Sequence, residues 1–175
     1  MSLEVPLPDP VASSPWPTWP PADAHHLLVT GAQMAELESQ LFASGLPVEA
    51  LMEKAALAIA RRLLATPPAA ALVLVGPGHN GGDGLVVARE LHLAGVPVRL
   101  WTPFERPKPL TSAQLRHCRW LGIPVLEGEP DPSDQSLWID GLFGVGQQRP
   151  IDDSLASLLT RRHQERPGAL VAIDV

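Results

Sequence analysis

The feature that most constrains this chain is a glycine-rich loop directly after an apolar run. Residues 71–75 read Ala-Leu-Val-Leu-Val, and residues 76–84 read Gly-Pro-Gly-His-Asn-Gly-Gly-Asp-Gly. The apolar run predicts a buried strand, and the residues after the loop predict a helix over 83–94. A strand, a glycine turn and a helix in this order favour phosphate or pyrophosphate binding, because the backbone N–H groups at the helix start face an anion. The alternative is a turn whose glycines only let helix and strand pack closely.

Strand-like and helix-like segments alternate along the rest of the chain. We predict further strands at 96–101, 123–126, 137–140 and 169–174, and helices at 111–121 and 152–163. Asp152 and Asp153 lie at the start of the last of these helices. We predict that they cap its N-terminus and complement the helix dipole. This alternation predicts an α/β fold of three αβα layers, with a Rossmann-like, doubly wound, mostly parallel sheet. Because the chain stops after its last strand, we expect C-terminal strands to be missing; an edge strand at a natural terminus is the alternative.

Two helices are predicted before the glycine loop. Thr30 offers an N-cap hydroxyl to the first, in which apolar residues recur at helical spacing: Met34, Leu37 and Leu41. The second is predicted to have one apolar face made of Met52, Ala55, Ala56, Ile59 and Leu63. The N-terminus differs, because seven prolines fall within its first 21 residues. We interpret 1–26 as a Pro-rich disordered tail, with a proline-rich docking ligand as the alternative, and 27–175 as one domain, incomplete at its C-terminus.

Composition excludes several classes of function. A formal net charge of -6 argues against nucleic-acid binding, which needs basic surfaces. No apolar stretch approaches the roughly 18 residues of a membrane-spanning helix. The single cysteine, Cys118, cannot form an intrachain disulfide and is predicted to be an unreactive part of a helix. We therefore expect a cytoplasmic protein that binds neither nucleic acid nor membrane. The tryptophans of the predicted elements, Trp101, Trp120 and Trp138, are expected to pack in the core.

Polar side chains inside the glycine loop point away from an ordinary NAD-dependent dehydrogenase. Asn80 and Asp83 lie in the loop, where a carboxylate would repel a phosphate. Residues 100–103 end the second strand without the acid that binds ribose in dehydrogenases. Asp83 is interpreted either as a helix N-cap or, with Asn80, as a group that holds a hydroxylated substrate or ligates a cation through oxygen. No Lys-Ser/Thr follows the loop, which excludes a Walker-type nucleotidase.

Four segments resemble one family. Residues 75–85, followed by Val-Ala-Arg at 87–89, resemble the signature of the NAD(P)H-hydrate epimerases, the YjeF N-terminal domain family. Residues 30–64 resemble the opening helical pair of that family, and 140–146 resemble its second glycine loop. Residues 171–175, Val-Ala-Ile-Asp-Val, resemble the beginning of a later family motif whose Pro-Ser-Gly continuation is absent. The resemblance covers about 28–175.

The resemblance implies an isomerase of nicotinamide nucleotide repair. Its substrate would be hydrated NADH or NADPH, NAD(P)HX, whose R and S forms it would interconvert. It would work with an ADP- or ATP-dependent NAD(P)H-hydrate dehydratase, to which such domains are often fused, and a homodimer stays open. Two alternatives remain: a noncatalytic nucleotide-binding or scaffold domain, which the apparent truncation favours, and an NAD-dependent dehydrogenase, which the missing ribose acid disfavours.

The resemblance also implies roles for individual residues. Asp174 would be the catalytic carboxylate beside the reacting ring. One potassium ion per subunit would be held by Asn80 and Asp140, although a family serine near this ion is missing. His79 stands where the family more often has asparagine. The residues expected to contact substrate are His79, Asn80, Gly81, Gly82 and Asp83 in the first loop, Gly144, Val145, Gly146, Gln147, Gln148, Arg149 and Pro150 in the second, and Asp174.

Overall fold

The computed structural model describes residues 29–148, 150–166 and 168–174. The predictions made for residues 1–26, Arg149 and Val175 therefore lie outside the described residues. The elements are, in chain order, α1 (Gly31–Ala43), α2 (Val48–Leu64), β1 (Ala71–Val75), α3 (His79–Leu93), β2 (Val98–Trp101), α4 (Pro109–Trp120), β3 (Leu137–Gly141), α5 (Asp153–Glu165) and β4 (Leu170–Ala172).

The strands form one parallel sheet in the order β2-β1-β3-β4. Strand β1 is central, and all five of its residues are buried. Its side chains alternate between two cores: Val73 packs with α2, α3 and α4 on one face, whereas Leu72 and Leu74 pack with α5 on the other. Burial on both faces explains why β1 reads as a continuous apolar run. The predicted three-layer, Rossmann-like α/β fold is confirmed.

The prediction of a strand at 123–126 is wrong. This segment makes one isolated parallel bridge, between Val125 and Leu100. Leu100 donates its N–H to the Pro124 carbonyl and accepts from the Leu126 N–H. Pro124 has no N–H of its own, so the ladder cannot extend through it.

Helix α3 begins at His79, with Gly78 as its N-cap, and not at Asp83 as predicted. Glycine is a poor helix former, so propensity places the start too late. Packing overrides this preference, because Gly81, Gly82 and Gly84 are all buried. Asp83 is therefore a residue of the helix, and the interpretation of Asp83 as an N-cap is wrong.

The other local predictions have mixed outcomes. Thr30 and Asp152 are side-chain N-caps, as predicted. Helix α2 buries Met52, Ala56 and Ala60, whereas Ala55, predicted on the apolar face, is exposed. No residue of α1 is buried in the described part of the chain. None of the described helices is long and apolar enough to cross a membrane.

The tryptophans divide between core and surface. Trp138 and Trp101 are buried, but Trp120 is 79% exposed and stacks on His117, so the prediction of core packing is wrong for Trp120. Helix α4 buries Thr111, Leu115 and Cys118, and position 120 lies off that face. Cys118 is fully buried, as expected of an unreactive residue.

A fully buried arginine anchors the start of β4. The Arg162 guanidinium lies 4.5 Å from the centre of the Trp138 ring. It donates hydrogen bonds to four backbone carbonyls, those of Pro132 (2.9 Å), Asp134 (2.5 Å), Ser136 (2.5 Å) and Ala169 (3.1 Å). Because Ala169 directly precedes β4, Arg162 helps to fix the strand after which Asp174 lies.

Candidate active site

The two glycine loops meet at the carboxyl ends of β1 and β3. Gly76, just after β1, donates its N–H to the Gly141 carbonyl at the end of β3 (3.1 Å). Ile173, just after β4, donates its N–H to the Asp140 carbonyl (3.1 Å). The residues that follow these three parallel strands therefore lie together at one edge of the sheet, which is where α/β proteins bind ligands.

Two glycines of the first loop are required by backbone contact. A Cβ at Gly76 would lie 1.7 Å from the Leu142 carbonyl oxygen, and a Cβ at Gly81 would lie 2.0 Å from the Gly76 carbonyl oxygen. Both atoms belong to backbone, which cannot move aside as a flexible side chain can. Close packing accounts for these two glycines, so their presence alone does not demonstrate a phosphate site.

Helix α4 holds the first loop from the other side. Thr111 is fully buried and donates its hydroxyl to the Gly78 carbonyl (2.7 Å), and Lys108 donates its backbone N–H to the Pro77 carbonyl (2.8 Å). Sequence reasoning did not single out either residue. The signal was available, because the residues after β2 emerge at the same sheet edge as those after β1.

Asn80 is the first unusual polar group of the site. Its side-chain oxygen and nitrogen are both buried, and neither has a hydrogen-bond partner among the described residues. Buried polar atoms nearly always have a partner, so an unsatisfied amide indicates a place where a ligand or ion would bind. Asn80 lies in the first turn of α3, and its backbone carbonyl faces Gly141. A Cβ added at Gly141 would lie 3.1 Å from the Asn80 carbonyl oxygen.

Asp140 lies near the end of β3. Its Oδ1 accepts the backbone N–H of Leu142 (2.9 Å). Burial raises the pKa of the Asp140 carboxyl, and the Leu142 hydrogen bond opposes that rise. The part of the chain that the structure describes contains no group of three or more His, Cys, Asp or Glu side chains that would hold a metal ion. Any ion here would depend on the Asn80 amide, the Asp140 carboxylate and backbone oxygens.

Asp174 is held by the second glycine loop. Its Oδ2 accepts the backbone N–H of Val145 (3.1 Å). A Cβ at Gly144 would lie 1.9 Å from the same oxygen, so only glycine admits the carboxylate in this position. Gln147 closes the turn by donating its N–H to the Gly144 carbonyl (3.0 Å). Gly146, Gln148 and Pro150 are exposed in the loop.

Asp83 is the most perturbed carboxyl group at this edge. Burial raises its pKa to about 7, helped by the negative charges of Asp174 and Glu38. The structure therefore brings Asp83 and Asp174 within electrostatic reach of each other. Glu38 lies in α1, and sequence reasoning did not connect that helix to the site.

His79, the first residue of α3, is exposed at the mouth of the site. Partial removal from water lowers the pKa of its imidazole, and the nearby Lys108 lowers it further. Glu38 and Glu49 oppose these effects. The charges at the mouth are therefore of both signs, with Lys108 as the cation beside His79.

The parallel sheet and the glycine turn that leads into a helix define a Rossmann-like α/β protein. Its candidate ligand site lies at the carboxyl ends of the strands. The sequence model of the family described as YjeF-related protein N-terminus matches residues 48–175. The chain belongs to this family. The resemblance inferred from residues 75–85 is thereby confirmed.

Relatives with assigned names agree with the family. The chain is 45% identical over 167 residues to the bifunctional NAD(P)H-hydrate repair enzyme Nnr of Synechocystis, a match covering 93% of this chain and 30% of that protein. It is 35% identical over 152 residues to the NAD(P)H-hydrate epimerase of Limosilactobacillus fermentum, covering 84% of this chain and 73% of the relative. The chain thus spans about 30% of the length of the bifunctional relatives that it matches.

A solved structure shares the fold. The crystal structure of the yeast protein ynu0 (YNL200c) superposes with a TM-score of 0.74, at 24% identity, over 85% of this chain and 70% of the yeast chain. At this identity the comparison supports the fold alone.

Proposed function

We propose that this chain is an isomerase that interconverts the R and S forms of hydrated NADH and NADPH, as a step of nicotinamide nucleotide repair. The observation that carries the proposal is the position of Asp174, whose carboxylate accepts the Val145 N–H and lies against Gly144 of the second glycine loop. The name of the Limosilactobacillus relative, NAD(P)H-hydrate epimerase, supports it.

The proposed reaction calls for a group that can take and return a proton. The reacting carbon bears a hydroxyl and a ring nitrogen, and inversion requires it to become planar and to be attacked from its other face. A carboxylate that takes or returns a proton assists both halves of this change. In the proposal Asp174 is that carboxylate.

The two glycine loops would hold the substrate around the reacting carbon. His79, Asn80, Gly81, Gly82 and Asp83 line the first loop. The second loop contributes Gly144, Val145, Gly146, Gln147, Gln148, Arg149 and Pro150.

In the proposal Asn80 and Asp140 hold one potassium ion. Asn80 offers an unsatisfied buried amide oxygen, and Asp140 offers a carboxylate whose pKa is raised by burial alone. Oxygen donors of this kind suit a hard cation. One potassium ion per subunit would place positive charge beside the half-buried Asp140 carboxylate.

The wider setting is part of the same proposal. The names of the bifunctional relatives support a functional link to an ADP- or ATP-dependent NAD(P)H-hydrate dehydratase, fused or separate. Four further points stay predictions. They are the domain bounds 27–175, a cytoplasmic location, a homodimer, and the lack of nucleic-acid or membrane binding.

The direct test uses the purified chain and one isolated epimer of hydrated NADH with potassium present. The epimer ratio is followed by liquid chromatography against the spontaneous rate without protein. Acceleration by catalytic amounts supports the proposal. Saturable binding without acceleration, from a chain that is folded by circular dichroism, would instead support the noncatalytic nucleotide-binding domain.

A further inference from the structure

Two aspartates at the candidate site, Asp83 and Asp174, directly adjoin residues that contact each other. Asp83 is partly buried in α3, whereas Asp174 follows β4 and lies exposed against the second glycine loop. The packing around them is fixed: a Cβ at Gly84 would lie 3.7 Å from both the Gly141 Cα and the Ile173 Cδ1. The residues next to Asp83 and Asp174 therefore pack against each other across the end of β3.

We propose that Asp83 and Asp174 form an acid–base pair, in which the Asp83 carboxyl group gives a proton to the departing hydroxyl while the Asp174 carboxylate takes one from the incoming water. This inference rests on the proposed epimerase function. It assigns Asp83 a catalytic role beyond lining the substrate site.

The surroundings of the two carboxylates divide the roles. Burial raises the pKa of Asp83 to about 7, and the negative charges of Asp174 and Glu38 contribute to this rise. A carboxyl group with this pKa is partly protonated at neutral pH and can act as an acid. Asp174 is exposed and accepts a hydrogen bond from the Val145 N–H, which fixes the position of its carboxylate. Lys108 and Glu49, the other charged groups at the mouth, act on His79.

The step balances in atoms and electrons. The nitrogen lone pair forms a C=N bond as the C–O bond breaks, and the Asp83 proton leaves with the hydroxyl as water. The reacting carbon is then planar. A water molecule adds to its other face, the C=N electron pair returns to nitrogen, and Asp174 takes the released proton. Proton exchange with solvent restores the pair, and the net change is inversion of one carbon.

Asp83→Asn tests the inference in the purified chain. Asparagine has nearly the same shape but no acidic proton, and we expect the epimerisation rate to fall by roughly 100- to 10,000-fold. The reaction is run in water enriched in oxygen-18, because each turnover exchanges the substrate hydroxyl for solvent oxygen. Isotope incorporation should fall in step with epimerisation. Asp153→Asn, an exposed carboxylate in the first turn of α5, is the matched control and should change neither rate.

Glu38→Gln separates a proton-transfer role from a merely structural one. Wild-type activity should decline as the pH rises and Asp83 loses its proton. Removing the Glu38 charge lowers the pKa of Asp83, so this decline should move to lower pH while the maximal rate is kept. An unmoved pH profile would contradict the assignment.

A titration that does not depend on activity completes the test. The Asp83 carboxyl carbon, identified by its absence in Asp83→Asn, is followed by carbon-13 NMR. In potassium-free buffer we expect a midpoint at about 7, and a lower one in Asp174→Asn. A midpoint at the usual aspartate value, about 4, would overturn the inference.

Different results would refute the proposed epimerase function and the catalytic role of Asp83. A folded wild-type chain that does not accelerate epimerisation refutes the proposed function and with it this catalytic pair. A wild-type chain that is active while Asp83→Asn keeps its rate and its isotope exchange refutes the role of Asp83 alone.

Discussion

Gly144→Ala tests whether the second glycine loop exists to place Asp174. The new Cβ would lie 1.9 Å from the Asp174 Oδ2, 2.9 Å from its Cγ and 3.4 Å from its Cβ. These atoms belong to a side chain and not to backbone, so the fold can survive if the carboxylate rotates away. The hydrogen bond from the Val145 N–H is then lost.

The effects on stability and on rate should differ greatly. One hydrogen bond near the surface contributes about 0.5–1.5 kcal/mol, so the free energy of unfolding should fall by no more than that. Displacing the carboxylate that transfers a proton should lower the epimerisation rate by at least roughly 100-fold. A small loss of stability with a large loss of turnover is the predicted signature.

The assay compares epimerisation rates and urea unfolding of Gly144→Ala with those of Gly128→Ala. Gly128 has no atom within 4 Å of an added Cβ and lies outside the site, so its variant should match wild type in both measurements. If Gly144→Ala turned over like wild type, the contact between this loop and Asp174 would have no catalytic meaning.

Three further predictions concern buried groups. Arg162→Met removes the side-chain donor of four carbonyl oxygens, of which that of Ala169 keeps the Trp138 N–H, and should destabilise the fold by roughly 3 kcal/mol or more in urea. Arg161→Met, the control, removes only an exposed ion pair and should cost no more than about 1 kcal/mol. The raised pKa of Asp83 destabilises the folded state as pH rises from about 4 through 7. The free energy of unfolding of Asp83→Asn should therefore exceed that of wild type by roughly 1–2 kcal/mol at pH 8, after allowance for solvent screening, and by little at pH 4. Equal stabilities at pH 8 would contradict this. Burial raises the thiol pKa of Cys118 to about 11, so iodoacetamide should label it in urea but not in the folded chain at pH 8; rapid native labelling would show that α4 opens.

The parts of the fold that depend on local pattern could be predicted from the sequence. The apolar run of β1 is buried on both faces, and a run of that kind has few other interpretations. The N-caps Thr30 and Asp152 could be predicted because capping depends on a side chain and the backbone within three residues of it.

Other predictions failed where packing decides the outcome. The start of α3 was placed too late because glycines 81, 82 and 84 oppose a helix by propensity, yet they are the residues that fit against other backbone and side chains. Core packing is predicted for Trp120 because it falls in a predicted helix, but the face of α4 that is buried contains Leu115 and Cys118.

Only part of the candidate site could be predicted from the sequence. The two loops and Asp174 were indicated by family motifs. The environment of Asp83 was not, because it depends on charges brought by Glu38 and Asp174 from other parts of the chain. The unsatisfied Asn80 amide likewise follows from burial, which no local pattern records.

The central claim is that Asp174 carries the epimerisation chemistry, and one comparison tests it. Purified wild type and Asp174→Asn are each given one epimer of hydrated NADH with potassium, and both epimerisation rate and substrate affinity are measured. We predict that wild type exceeds the spontaneous rate and that Asp174→Asn falls to it while binding substrate with nearly unchanged affinity. Equal acceleration by both proteins would contradict the account.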